Sequence, residues 1–215
     1  RKRYESGLPV NSINYLLKKT GLKSKDINLI LFHLNPNVSI KSRVKFLLKK
    51  IYVAITDREY LNTFFNFIFL KRRLKKLLNI NAPVKYIQHH ICHASYSFYT
   101  SGFKKSLVIT LDGAGDGLTG NVCVFKENSY EKLEDFKYPN SVGLFYSSIS
   151  DYIGFPLPSG PGKVMGLSAY GKGNKFDNLL KKIIYVKDGK PIINKKYFLF
   201  HENLVTPLSN PKKKW

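Results

Sequence analysis

Two histidines four residues apart, His89 and His93, open a predicted helix. The next β-branched run ends in Asp112 and passes into Gly113-Ala114-Gly115-Asp116-Gly117. Residues i and i+4 share a helix face, so His89 and His93 are placed to hold one metal ion. Asp112 can add an oxygen ligand, and two nitrogens with one carboxylate suit Fe or Zn with positions left open for substrate. The glycines allow main-chain N–H groups to approach a phosphate without hindrance from a Cβ. Asp112, Gly113, Gly115, Asp116 and Gly117 are therefore candidate nucleotide contacts. An isolated HxxxH pair is common on helices, and a glycine-rich string is equally an ordinary turn. The two readings support each other, because two carboxylates repel a phosphate unless a cation lies between them.

The flanking sequence predicts an α/β chain. Residues 10–19, with Ile13, Leu16 and Leu17 apolar, form a short amphipathic helix stopped by Gly21. Residues 27–33 are continuously apolar and predict a strand buried on both faces. Residues 42–78 are basic and aromatic and are expected to be a helical insertion with its lysines outward. A short strand over 84–88 leads into a helix over 90–99 that stops at Gly102. Residues 107–111 and 121–125 predict a hairpin around an open glycine turn at 112–117. A helix follows over 142–153. Gly160-Pro161-Gly162 is expected to interrupt the chain before Lys163. A last hairpin is expected at 184–186 and 192–193, around Asp188-Gly189. Lys163 is a candidate cation for a phosphate or carbonyl oxygen, against the alternative of a solvated lysine. Cys92 is expected to be a small buried residue facing away from the histidine pair, and Met165 to lie in the core.

Charge bears on the choice of partner. The net charge is +22, which suits a nucleic-acid binder. Of the 36 basic residues, however, 30 are lysine, whereas base and phosphate recognition leans on the arginine fork. The chain is rich in Lys, Asn, Ile, Phe and Tyr together, a pattern that AT-rich codons produce. A nucleic-acid partner is the alternative reading and is disfavoured. No run is long and apolar enough to span a bilayer. The two cysteines, Cys92 and Cys123, do not make a disulfide framework, so a reducing, cytoplasmic setting is expected.

Four blocks in order resemble a known family. Residues 89–103 read HHICHASYSFYTSGF against HHxxHAxSAFYxSGF, and 111–117 read LDGAGDG against LxxDGxGDG. Gly143 to Ser147 with Tyr152 to Phe155 match GxxYSxxxxYLGF, and 163–171 read KVMGLSAYG against KVMGLAxYG. The chain thus resembles the O-carbamoyltransferases of nodulation and antibiotic biosynthesis. The resemblance implies an actin-like, Hsp70-like ATPase fold, a mixed sheet with flanking helices. It implies ATP-dependent transfer of a carbamoyl group from carbamoyl phosphate, through carbamoyl-adenylate, to a hydroxyl of a sugar, antibiotic or other acceptor. By motif position, His89, His93 and Asp112 match the metal ligands and the glycine string matches the nucleotide loop. Arg3 stands where the family has lysine, and Ser168 where it has alanine. The family's first hairpin, a later metal-ligating aspartate and the adenylate-forming lobe have no counterpart in residues 1–215. The resemblance therefore implies part of an N-terminal transferase domain, inactive by itself.

Overall fold

The computed structural model describes residues 8–35, 69–157, 159–173, 175–194 and 196–197. The expected insertion therefore lies largely outside the described residues, apart from its last turns. The chain divides into two compact units, Arg1–Ile87 and Gln88–Trp215.

In the first unit, helix α1 (Val10–Thr20) turns Val10, Ile13 and Leu17 inward. It ends where Gly21 adopts φ 72°, the left-handed conformation that only glycine takes without strain. Leu16, expected on the apolar face, is exposed instead. It lies one residue from Leu17, about 100° round the helix. Strand β1 (Ile30–Phe32) pairs in parallel with β2 (Val84–Tyr86), Ile30 opposite Val84. Only Ile30 and Phe32 of β1 turn toward the core, while Leu29 and Leu31 are exposed. The continuous apolar run is thus a three-residue strand with one inward face, not one buried on both sides. Helix α2 (Leu70–Leu78) buries Leu70, Leu74 and Leu78 at four-residue spacing and leaves most of its cations outside. These leucines pack with Ile80 and Ala82 into the core of this unit.

The second unit begins with helix α3 (His89–Ser101), which Gly102 closes at φ 77°. Its inner face is His90, Ile91, Ala94 and Phe98. Strands β3 (Lys105–Gly115), β4 (Leu118–Lys126) and β5 (Ser129–Lys137) form an antiparallel sheet in sequence order. The Phe98 and Phe125 rings lie 5.2 Å apart, joining helix to sheet. The hairpin turn is tighter than the sequence suggests. Asp112 to Gly115 remain in β3, and only Asp116 (φ 53°) and Gly117 (φ 78°) turn the chain. Two consecutive positive φ values match the right-handed twist of a two-residue hairpin. Strand β5 was not expected. Its residues Ser129 to Leu133 are all exposed and carry charges among them, so no apolar alternation marks it.

Helix α4 (Val142–Tyr152) follows, capped by Ser141, whose hydroxyl accepts the Leu144 N–H at 2.9 Å. Gly160-Pro161-Gly162 does not interrupt the chain but forms the first turn of helix α5 (Gly160–Ser168). Proline suits that turn because its missing N–H would have no intrahelical partner there. Met165, expected in the core, is 68% exposed on this helix. Helix α6 (Asp177–Ile183) runs into β6 (Ile184–Lys187), which pairs with β7 (Lys190–Ile193) across Asp188-Gly189 as expected. Leu144, Ile183 and Ile193 form a second buried cluster. The described elements make a mixed α/β structure with three sheets, one parallel and two antiparallel. Among the described residues, no helix is long and apolar enough to cross a membrane.

Candidate metal centre

Helix α3 and strand β3 bring the three predicted ligands together. His89 Nε2 lies 2.8 Å from Asp112 Oδ2 and 3.1 Å from His93 Nε2, and His93 Nε2 lies 3.4 Å from Asp112 Oδ2. One ligand atom from each residue falls within 4.8 Å of the others. Ligands at about 2.1 Å from a tetrahedral or octahedral ion are themselves about 3.0–3.4 Å apart, so two sides of this triangle match edges of a coordination shell and the 2.8 Å side, a hydrogen bond, is slightly shorter. The donor set therefore fits a divalent metal. Three protein donors leave positions open, as catalytic rather than closed structural sites do. Among the described residues no other group of His, Cys, Asp or Glu converges in this way. Cys92 stays outside the cluster, as expected, but is half-buried rather than buried.

The carboxylate is held ionised. The hydrogen bond with His89 keeps Asp112 well below the usual carboxylate range, and the Gly113 N–H, 2.6 Å from its Oδ1, and both histidines add to this against the opposing effect of burial. His90, beside the triad with its ring centroid 5.2 Å from that of His89, is fully buried. Burial, helped by its neighbour His89, lowers its pKa to about 4, so it is neutral near pH 7 and adds no competing charge.

Several contacts fix the backbone beneath the triad. Ser141, fully buried, caps α4 and also donates its hydroxyl to the carbonyl oxygens of Asp112 and Gly113, at 2.8 and 2.7 Å. Gly143 lies so close to β3 that a Cβ there would come within 2.7 Å of the Asp112 carbonyl oxygen. The carboxylate of Asp116 accepts the main-chain N–H of His89 at 3.0 Å, an anion at the positive end of α3. Deeper in the sheet, Thr110 Oγ1 donates to Asn121 Oδ1 at 2.7 Å and accepts the Asn121 N–H at 2.9 Å. The Ser141 cap is legible as a serine ahead of an apolar run. Its hold on Asp112, 29 residues away, is not.

The glycine string divides by position. Gly113 has only ordinary contact with Leu144, and Gly117 faces open space, whereas Gly115 is pressed against His89. Lys163 is exposed on α5 and makes no ion pair among the described residues.

Residues 1–210 match the model of the carbamoyltransferase N-terminus. The chain belongs to this carbamoyltransferase family. Over its whole length it is 30% identical to an uncharacterised protein of Synechocystis sp., of which it covers 36%. It is 28% identical to the nodulation protein NolNO of Sinorhizobium fredii, over 87% of this chain and 27% of that protein. It is 36% identical to the nodulation protein NolO of Bradyrhizobium diazoefficiens, over 47% of this chain and 18% of that protein. The chain thus spans about a third or less of the length of these relatives.

Proposed function

We propose that this protein carries the transferase lobe of an ATP-dependent O-carbamoyltransferase, built as an actin-like ATPase domain. His89, His93 and Asp112 hold a divalent iron or zinc ion in this reading. The observation that carries it is the convergence of the three ligand atoms from two elements separated in sequence. Family membership supports the transferase chemistry.

Carbamoyl phosphate, water and ATP give carbamoyl-adenylate with release of phosphate and pyrophosphate in this scheme, and a hydroxyl of a sugar, antibiotic or other small molecule accepts the group. The acceptor oxygen bonds to the carbamoyl carbon and gives up its hydroxyl proton to solvent, while the carbon–oxygen bond to the adenylate phosphate breaks and AMP leaves with the electron pair. A bound metal supplies Lewis acidity toward the nucleotide's oxygens. The chain's own residues do the placing. Asp112, kept anionic, contributes negative charge to the ligand set. Gly113, Gly115 and Gly117, with Asp116, border the place assigned to the nucleotide, and Gly117 offers the open approach, because the Gly113 N–H already serves Asp112. Lys163 is assigned to a phosphate or carbonyl oxygen.

The test uses the full-length protein with carbamoyl phosphate, ATP and a panel of hydroxyl acceptors, before and after chelation. Acceptor-dependent consumption of carbamoyl phosphate that is lost with the metal and restored by iron or zinc is the expected result. Turnover indifferent to chelation would remove the metal from the scheme. Stoichiometric nucleotide binding without turnover on any acceptor would make this a binding relative.

A further inference from the structure

We propose that Gly115 and Asp116 are positioning residues that act through His89, so that the tip of the β3–β4 hairpin seats one histidine of the metal triad. The proposal rests on the metal reading above and adds to it residues that coordinate nothing themselves.

A Cβ added at Gly115 would overlap the Cδ2 and Cγ atoms of the His89 ring and would lie 2.7 Å from the His89 Cβ. Ordinary contact between such atoms begins near 3.4 Å. The overlap with ring atoms could be relieved by rotating the side chain, but the overlap with Cβ could not, because Cβ moves only with the main chain. That main chain is pinned, since Asp116 accepts the His89 N–H at 3.0 Å. The His89 ring also meets two other rings, although its side chain keeps 16% of its exposure. His90 and His93 both meet it edge-to-face, with centroids 5.2 and 4.7 Å away. In the position these contacts leave it, its Nε2 is 2.8 Å from Asp112. Gly115 is not among the glycines with positive φ, so its requirement is for space and not for an unusual backbone conformation. The glycine string therefore does two jobs. Gly115 and Asp116 serve His89, and Gly117, with nothing within 4 Å of its missing Cβ, remains open toward solvent or ligand.

A stability cycle and a metal titration on the full-length protein test this. Gly115→Ala is expected to weaken iron or zinc binding at least about tenfold, as loss of a residue supporting a ligand does. It is also expected to lower the urea midpoint of the metal-free protein. In a His89→Gly background, which removes the three atoms nearest the new methyl, Gly115→Ala should lower the midpoint no further. In a His93→Gly background the cost should persist. A Gly115→Ala variant that fails to fold while the double variant with His89→Gly folds supports the proposal equally. Equal losses in the wild-type and His89→Gly backgrounds, or failure of both to fold, would overturn the proposal. So would wild-type metal affinity in Gly115→Ala. If the wild-type protein takes up no metal, it is the metal reading that fails, and the metal-free cycle alone then decides whether Gly115 seats His89.

Discussion

The hydroxyl of Ser141 stands 2.8 Å from the carbonyl oxygen of Asp112, so the residue that starts α4 also holds the strand that presents the carboxylate of the candidate metal site. The same hydroxyl oxygen accepts the Leu144 N–H. Ser141→Ala removes both interactions from a fully buried position. The expected loss is about 1–2 kcal/mol in urea unfolding, the usual cost of an N-cap. Metal affinity should fall with it, because Asp112 loses its backbone anchor. A variant as stable as wild type would show that water replaces the hydroxyl at no cost.

His93 and Cys92 are sequence neighbours with opposite expected effects. His93 Nε2 belongs to the ligand triangle and the Cys92 thiol does not. His93→Ala should abolish stoichiometric iron or zinc retention, measured by elemental analysis after purification. Cys92→Ala should leave retention nearly unchanged. Equal losses would mean that the thiol takes part in binding.

Lys163 and Lys172 form a second pair. Both are exposed, at the beginning of α5 and just beyond its end. If Lys163 meets the nucleotide, Lys163→Ala should lower the carbamoyl-transfer rate proposed for the full-length protein far more than Lys172→Ala does. Similar effects would return Lys163 to the solvated lysines of a strongly basic chain.

The Thr110–Asn121 pair is sealed inside the sheet. Thr110→Val keeps the shape but leaves the Asn121 side-chain oxygen and main-chain N–H without the hydroxyl that serves both. A buried polar group left unsatisfied costs about 1–3 kcal/mol, so unfolding should shift by that order. Thr110→Ser should retain most of the stability. A neutral Thr110→Val change would point to a relaxed sheet that re-pairs Asn121.

Alkaline pH should act through Tyr138. Burial raises its pKa to about 12, above the ordinary value of 10.0. The unfolded chain then releases its proton first, so stability is fully present below about pH 10 and falls as pH rises toward 12. Tyr138→Phe should flatten that decline in a series of urea midpoints taken between these limits. An identical decline in the variant would assign the effect to other groups.

The sequence by itself determined what rests on local interactions. The glycine stops at Gly21 and Gly102, the hairpin turn at Asp188-Gly189, and the i, i+4 histidine pair depend on neighbours a few residues away, whereas the narrowing of the expected 112–117 turn to Asp116-Gly117 was not legible. The family blocks were legible in the same way, as residue types in order. Tertiary structure decided what depends on partners far along the chain. The inward face of β1, the exposure of Leu16 and Met165, and the charged strand β5 follow from what each segment packs against. So do the meeting of Asp112 with His89, the hold of Ser141 on β3 and the space Gly115 leaves for an imidazole. A glycine kept for its turn, one kept for a phosphate and one kept for a neighbouring ring are the same letter in a sequence. They differ only in which atoms the fold brings within contact of the missing Cβ.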